Sequence, residues 1–297
     1  MATTAGTPPP RLRFDAAMLT NVGAVRALNE DVVLYTKPPE GDAAADRGGL
    51  ALVADGMGGH AAGEVASALA AEIVRRVFHE VEGPVPVVLA SAFEAANQAI
   101  LDWAASHPEC AGMGTTCTAL ALRDGQAWLA HIGDSRAYLL RNGSLSQLSE
   151  DQTLVAGLVR EGKLTQEEAQ HSPVSNVIVQ ALGMGPEIAP VIWSEPMRLM
   201  AGDVMVLCSD GLSGMVSDAV IADIAGRLPP TEACEALIEA ALAAGGHDNV
   251  SVGVLHAAIE REEPAAGQTT RRLKILDPAT GGTREIAIPN EAARHDG

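Results

Sequence analysis

The chain has 297 residues and a mass of 30.6 kDa, room for one large domain or two small ones. Acids outnumber bases 38 to 20, a net charge of −18, which argues against a nucleic-acid or anionic-membrane partner because both need a basic face. Hydrophobic residues at 47% and charged residues at 20% describe a globular body, and no apolar run approaches the roughly 18–20 residues of a membrane span.

Residues 1–10, MATTAGTPPP, lack the basic start and apolar stretch of a secretory signal and read as a flexible tail ending in a stiff proline run. Residues 12–20 alternate and 31–36 are β-branched, so both predict strands. Residues 48–55 predict a buried strand running into a glycine-rich turn. Over 61–80, Val65, Leu69, Ile73 and Val77 recur every four residues beside Ala62, Ala66, Ala70 and Val74, the pattern of an amphipathic helix. An alanine-rich helix with prolines at its start fits 86–105. Strands follow at 115–122, 126–132 and 136–141, and Asn142-Gly143 marks a hairpin turn. Residues 151–171 read as irregular helix, with Thr165 and Glu168 spaced as a capping box. A buried strand at 203–210 ends at an acid. Helices at 217–227 and 231–244 precede a last strand within 246–257. Strands joined by hairpins imply antiparallel sheets, so the class is α+β and not a doubly wound parallel fold.

The main domain is expected at 11–258. Residues 259–270 are polar and proline-interrupted, a linker. In 271–289, Leu273 with Ile275 and Ile286 with Ile288 alternate with polar residues around the turn formers of 277–282, which suggests a short β-hairpin in the C-terminal tail, 259–297. Cys110, Cys117, Cys208 and Cys234 show no CxxC spacing and read as reduced thiols of a cytoplasmic protein.

Asp55, Asp134 and Asp210 stand where apolar strands meet turns, and Asp31 and Asp248 flank strands. Any one of them alone is an ordinary turn former. Gathered at a sheet edge, they would repel one another unless cations intervened. All-oxygen ligation suits Mg²⁺, Mn²⁺ or Ca²⁺. Zinc fits less well, because there is no HExxH and no Cys/His cluster of zinc spacing. The glycines of GMGGH (56–60) lack the lysine of a phosphate-binding P-loop.

The stretches GAVRALNED (23–31), VADGMGGHAAGEVAS (53–67), GMGTTCTAL (112–120), HIGDSRAYLLRNG (131–143), LCSDGLSG (207–214) and GGHDNVSVGV (245–254) resemble the metal-dependent serine/threonine protein phosphatases, the PPM or type 2C family. The likeness is greatest to the bacterial stand-alone branch and covers about 12–257. LTQEEAQHSPVSN (164–176) resembles the flap that bacterial members carry beside the site. The resemblance implies an αββα sandwich, two antiparallel sheets flanked by helix pairs. It implies hydrolysis of phosphoserine and phosphothreonine by a metal-activated water, opposing bacterial serine/threonine kinases.

It further implies two tightly held Mn²⁺ or Mg²⁺ ions and a third, weaker one. By similarity, Asp55 bridges the two ions and the Gly56 carbonyl binds one of them. Asp210 and Asp248 complete the other ion's ligands. Glu30 and Asp31 hold metal-bound waters or approach the metal directly, and Asp134 shares the third ion with Asp210. Arg26 resembles the arginine that grips phosphate. His60 resembles the histidine that protonates the leaving group, although it could also cap the helix after Gly59. The partners implied are phosphoproteins, among them a kinase, and a monomer is expected. Asn21 stands where the family usually has Asp. Ser175-Asn176 and Val179-Gln180 replace the usual flap Arg-Asn and Thr-Arg pairs, which bears on substrate preference. A non-catalytic phosphatase-like module that binds phosphoproteins is the alternative. Retention of every metal-ligand position favours the enzyme.

Overall fold

A computed structural model describes residues 11–37, 47–58, 62–260, 270–276 and 283–289. Its first unit, residues 1–259, contains two sheets. Strands β1 (Leu12–Asn21), β2 (Asp31–Thr36) and β3 (Gly49–Met57) precede helices α1 (Ala62–Glu80) and α2 (Val85–Ser106). Then come β4 (Gly114–Thr115), β5 (Cys117–Arg123), β6 (Gln126–Ile132), β7 (Arg136–Arg141) and β8 (Ser144–Gln147). Helices α3 (Leu154–Arg160) and α4 (Gln166–Gln170) lead to the short strands β9 (Val191–Ile192) and β10 (Met197–Arg198). The unit closes with β11 (Val204–Cys208), α5 (Asp210–Ser213), α6 (Asp218–Arg227), α7 (Pro230–Ala243) and β12 (Val250–Ile259).

One sheet has the order β1-β12-β11-β7-β8 and the other β10-β6-β5-β3-β2, with β4 and β9 as short flanking pairs. Every pairing is antiparallel. Strand β3 shows how the layers are made. Leu50, Leu52 and Ala54 pack beneath α1 and α2 with Ala66, Ala70, Val74 and Phe93. Ala51 and Val53 face the other sheet, against Leu139, Met205 and Leu207. Both faces are buried, which is why 48–55 reads as a continuous apolar run. The second sheet repeats the arrangement: Tyr138, Val206, Val252 and Val254 pack with Ile221 of α6 and Leu237 of α7. The result is the expected αββα sandwich.

Turn chemistry sets the hairpins. Asn142 (φ 53°) and Gly143 (φ 77°) are both left-handed, as are Asp124 (φ 51°) and Gly125 (φ 70°) between β5 and β6; this backbone twist matches antiparallel strands. The capping box is present, with Thr165 Oγ1 accepting from Glu168 N and Thr165 N donating to Glu168 Oε2. The strand predicted at 115–122 is two strands. It breaks at Thr116, whose N–H and hydroxyl both turn to Asp55 instead of continuing the ladder. Strand β11 stops at Cys208 and Asp210 opens helix α5, while the last strand starts only at Val250, after the Asp248-Asn249 turn. All four cysteines are buried free thiols.

The second unit, residues 260–297, contains β13 (Thr270–Leu276) and β14 (Thr283–Pro289), paired antiparallel from Thr270↔Pro289 to Leu276↔Thr283. The turn read at 277–282 lies outside the described residues, as does His60. Among the described residues no helix is long and apolar enough to cross a membrane.

Candidate active site

The acids come together because the sandwich brings strand ends from both sheets to one edge. Asp31 begins β2 and lies directly opposite Asp55 on β3. Asp210 and Asp248 follow β11 and precede β12 in the other sheet, and Asp134 lies on the crossing from β6 to β7. Burial holds Asp55 well above the ordinary carboxylate range, reinforced by the charges of Asp31, Asp210, Asp134 and Asp248. Burial likewise pushes Asp31 up to about 6, with Ser251 and Ser209 pulling the other way and Asp210 and Asp248 adding to the rise. Asp134 rises to about 8 through burial and then the charges of Asp210 and Asp151. Asp210 is raised by burial and Asp248. These mutual effects show that the five carboxylates share one electrostatic site.

A polar cradle beneath the acids was not foreseen. Ser209 Oγ donates to Asp31 Oδ2 at 2.8 Å and accepts from Ser251 N at 3.0 Å. Ser251 Oγ and Asn29 Nδ2 both donate to Thr20 Oγ1, at 2.7 and 2.8 Å. Asp55 is clamped at its backbone: its N–H donates to Thr116 Oγ1 at 3.0 Å, and its carbonyl accepts from Thr116 N and Thr115 Oγ1 at 2.9 Å each. Asn249 ties the Arg26 loop down. Its Nδ2 donates to the carbonyls of Val22 and Leu28, both at 2.9 Å, and its Oδ1 accepts from Glu30 N at 2.8 Å. The sequence signals were Thr115-Thr116 after Gly114, Ser209 before Asp210 and Asn249 after Asp248. Ser209 and Asn249 adjoin an aspartate in the sequence, whereas Thr115 and Thr116 lie 60 and 61 residues from Asp55.

Gly56 sits where no side chain fits. A Cβ there would lie 2.1 Å from the Gly63 carbonyl oxygen and 2.5 Å from that of Glu30. Close approach of β3 to the start of α1 therefore requires glycine at this point. Arg26 is placed differently from a free phosphate ligand: its Nη2 donates to Asp248 Oδ2 at 2.8 Å, and Asp248 Oδ1 accepts from Asn249 N at 2.8 Å. That pairing raises the Arg26 pKa.

The side chains gathered here offer oxygen donors, the carboxylates of Asp31, Asp55, Asp134, Asp210 and Asp248. Asp31 Oδ1 and Asp134 Oδ1 are buried and accept no hydrogen bond from the described residues. Buried anionic oxygens without donors fit hard divalent cations such as Mn²⁺ or Mg²⁺. Among the described residues no three His, Cys, Asp or Glu side chains are drawn into a closed ligand group. Asp248 is turned to Arg26.

The family model described as protein phosphatase 2C matches residues 34–244. The chain belongs to the protein phosphatase 2C family. It is 41% identical over 275 residues to the serine/threonine protein phosphatase PstP of Mycobacterium tuberculosis, covering 91% of this chain and 49% of PstP. The chain thus spans about half the length of that relative. It is 36% identical over 247 residues to protein phosphatase PhpP of Streptococcus pneumoniae, covering 82% of this chain and 97% of PhpP. The crystal structure of the catalytic domain of PstP in complex with two manganese ions superposes with a TM-score of 0.72 at 40% identity, over 83% of this chain and 99% of that one. The phosphatase 2C architecture of the solved relatives is therefore the architecture of this chain.

Proposed function

We propose that the chain hydrolyses phosphoserine and phosphothreonine esters in proteins at a binuclear Mn²⁺ or Mg²⁺ site, opposing serine/threonine kinases. The observation that carries this reading is the convergence of five aspartates from both sheets, two of them with buried oxygens that accept no hydrogen bond. The manganese-bound catalytic domain of PstP supports the choice of metal. Asp55 and the Gly56 carbonyl would hold one ion. Asp55, Asp210 and Asp248 would hold the other, with Glu30 and Asp31 bounding it. Asp134, with Asp210, would hold a third ion more weakly. When bound, the ions would supply positive charge to admit a phosphate dianion and the acidity that turns water into a nucleophile at neutral pH.

The chain's own groups do the rest. Arg26 presents a planar pair of donors for two phosphate oxygens once it leaves Asp248. Asn249 keeps the Arg26 loop in place through three hydrogen bonds. Thr115 and Thr116 fix the backbone of Asp55 so that its carboxylate does not turn away. The substrates are phosphoproteins, a kinase among them, and the four buried free thiols accord with a cytoplasmic setting.

The test is phosphate release from p-nitrophenyl phosphate and from a phosphothreonine peptide. Both should turn over with Mn²⁺, stop on chelation by EDTA and recover when Mn²⁺ is restored. An untouched peptide, or turnover that survives exhaustive chelation, would refute the reading.

His60 is assigned the protonation of the departing serine or threonine oxygen. An alkoxide needs that proton, worth typically 10²–10⁴-fold, whereas p-nitrophenolate needs little help. His60→Ala should therefore slow the peptide far more than p-nitrophenyl phosphate. Equal losses on both substrates would remove it from that role.

A further inference from the structure

Eight of the fifteen exposed large hydrophobic side chains among the described residues lie on just two segments, 22–28 and 154–184. Both border the acid cluster. The first carries Arg26, whose guanidinium touches Asp248. The second is fastened at both ends beside the site. Gln152 exchanges hydrogen bonds with Gly133, next to Asp134, with Gln152 N donating to the Gly133 carbonyl at 2.8 Å and Gly133 N to Gln152 Oε1 at 2.9 Å. Leu182 pairs with Thr115, which holds the Asp55 carbonyl.

These side chains are not exposed because their backbone is loose. The Val22 and Leu28 carbonyls are held by Asn249, Ala24 N donates to the Gly246 carbonyl, Leu154 N to that of Val177, and Val179 N to that of Gln152. Val25 and Leu28 are nevertheless 64% and 50% exposed, and Val177 and Val179 45% and 44%. Pinned backbone that presents aliphatic side chains to water offers a ready apolar contact at low ordering cost. A chain with 38 acids among its 297 residues does not lack polar residues for such positions.

We propose that these two segments are apolar lips that select phosphoprotein segments with aliphatic residues on either side of the phosphoserine or phosphothreonine. This rests on the phosphatase reading above. The phosphate fixes the segment at the centre, where Arg26 and the acids lie. The residues before and after it then reach the lips at Val25 and Leu28 and at Val177 and Val179. Discrimination comes from removing aliphatic surface of both partners from water.

The experiment uses two phosphothreonine peptides of equal length and charge, one with Leu and Val flanking the phosphothreonine and one with Ser and Asn there. The full chain with Mn²⁺ should favour the aliphatic peptide in kcat/KM by about tenfold, the low end of discrimination by an apolar contact. In Val25→Ser/Leu28→Ser and in Val177→Ser/Val179→Ser the ratio should fall toward one, with circular dichroism melts confirming that each variant is folded. A ratio of one in the wild-type protein, or a ratio kept by both double variants, would overturn the proposal while leaving the phosphatase reading standing. If neither peptide releases phosphate, the phosphatase reading fails. The preference is then read directly as binding of fluorescein-labelled versions of both peptides by anisotropy, where equal dissociation constants would overturn the lips as well.

Discussion

Asp134 is a buried carboxyl that the fold raises far above its ordinary range. Burial pushes that carboxyl up to about 8 in the folded chain, against the ordinary value of about 3.9 when unfolded. Between those values the folded state holds a proton that the unfolded state has lost, so the stability of the metal-free chain falls as pH rises through that window. Asp134→Asn removes this penalty. In EDTA the variant should melt higher than wild type at pH 8, by about 2–4 °C for each kcal/mol recovered in a domain of this size. The difference should shrink as pH falls through the window and vanish only below the unfolded value of about 3.9, where the carboxyl is protonated in both states. A lower melting temperature for the variant at pH 8 would show that the carboxylate is stabilised there by something else. On the proposed metal assignment, the same variant should bind the weakest Mn²⁺ of a titration less tightly than wild type.

At the scale of elements, the seat of α1 on β3 is a contact between two glycines. A Cβ on Gly63 would lie 2.7 Å from both Glu30 Oε1 and the Gly56 carbonyl carbon. Gly63→Ala should move the helix off the strand at about 1–3 kcal/mol, the usual cost of overpacking, and lower the urea midpoint. Gly157, inside α3 with open space around it, is the control. Gly157→Ala should leave the midpoint unchanged or raise it slightly. The long elements were legible in the sequence because burial imposes a period: α1, α2, α6 and α7 and the strands β1, β2, β3, β5, β6, β7, β11 and β12 appear within a few residues of their predicted bounds. The two-residue strands β4, β9 and β10 were not, since two residues cannot display an alternation. Asp55, Asp134 and Asp210 were legible because each follows an apolar run, and Asp31 and Asp248 because each precedes one. Ser209, Ser251 and Thr20 were not, because their hydrogen bonds join residues up to 231 positions apart and nothing local distinguishes them from ordinary strand-end polar residues. The Arg26–Asp248 ion pair was hidden for the same reason: it closes 222 residues of chain.

At the scale of the molecule, the strand order follows from pairings that no local pattern announces. Strand β1 pairs with β12 along ten residues, from Leu12↔Ile259 to Asn21↔Val250, so the two ends of the first unit hold each other. A chain cut after Glu260 keeps that ladder whole. It should fold and retain Mn²⁺-dependent hydrolysis of p-nitrophenyl phosphate. A cut after residue 255 removes the pairings from Leu12↔Ile259 to Asp15↔His256 and should lower the melting temperature. Loss of folding in the 1–260 chain would give the second unit a structural role.

The division of the aspartates between sheets reaches further than catalysis. Asp31 and Asp55 belong to one sheet, and Asp210 and Asp248 flank strands of the other. The layer between the sheets is aliphatic, and such packing has no directional preference. A cation shared across that edge would act as a rivet that fixes how one sheet lies on the other. Each tenfold rise in free ion above its dissociation constant would then deepen the folded well by about 1.4 kcal/mol. Metal supply would then set the lifetime of the folded protein, and a cell starved of the ion would lose the chain to proteolysis.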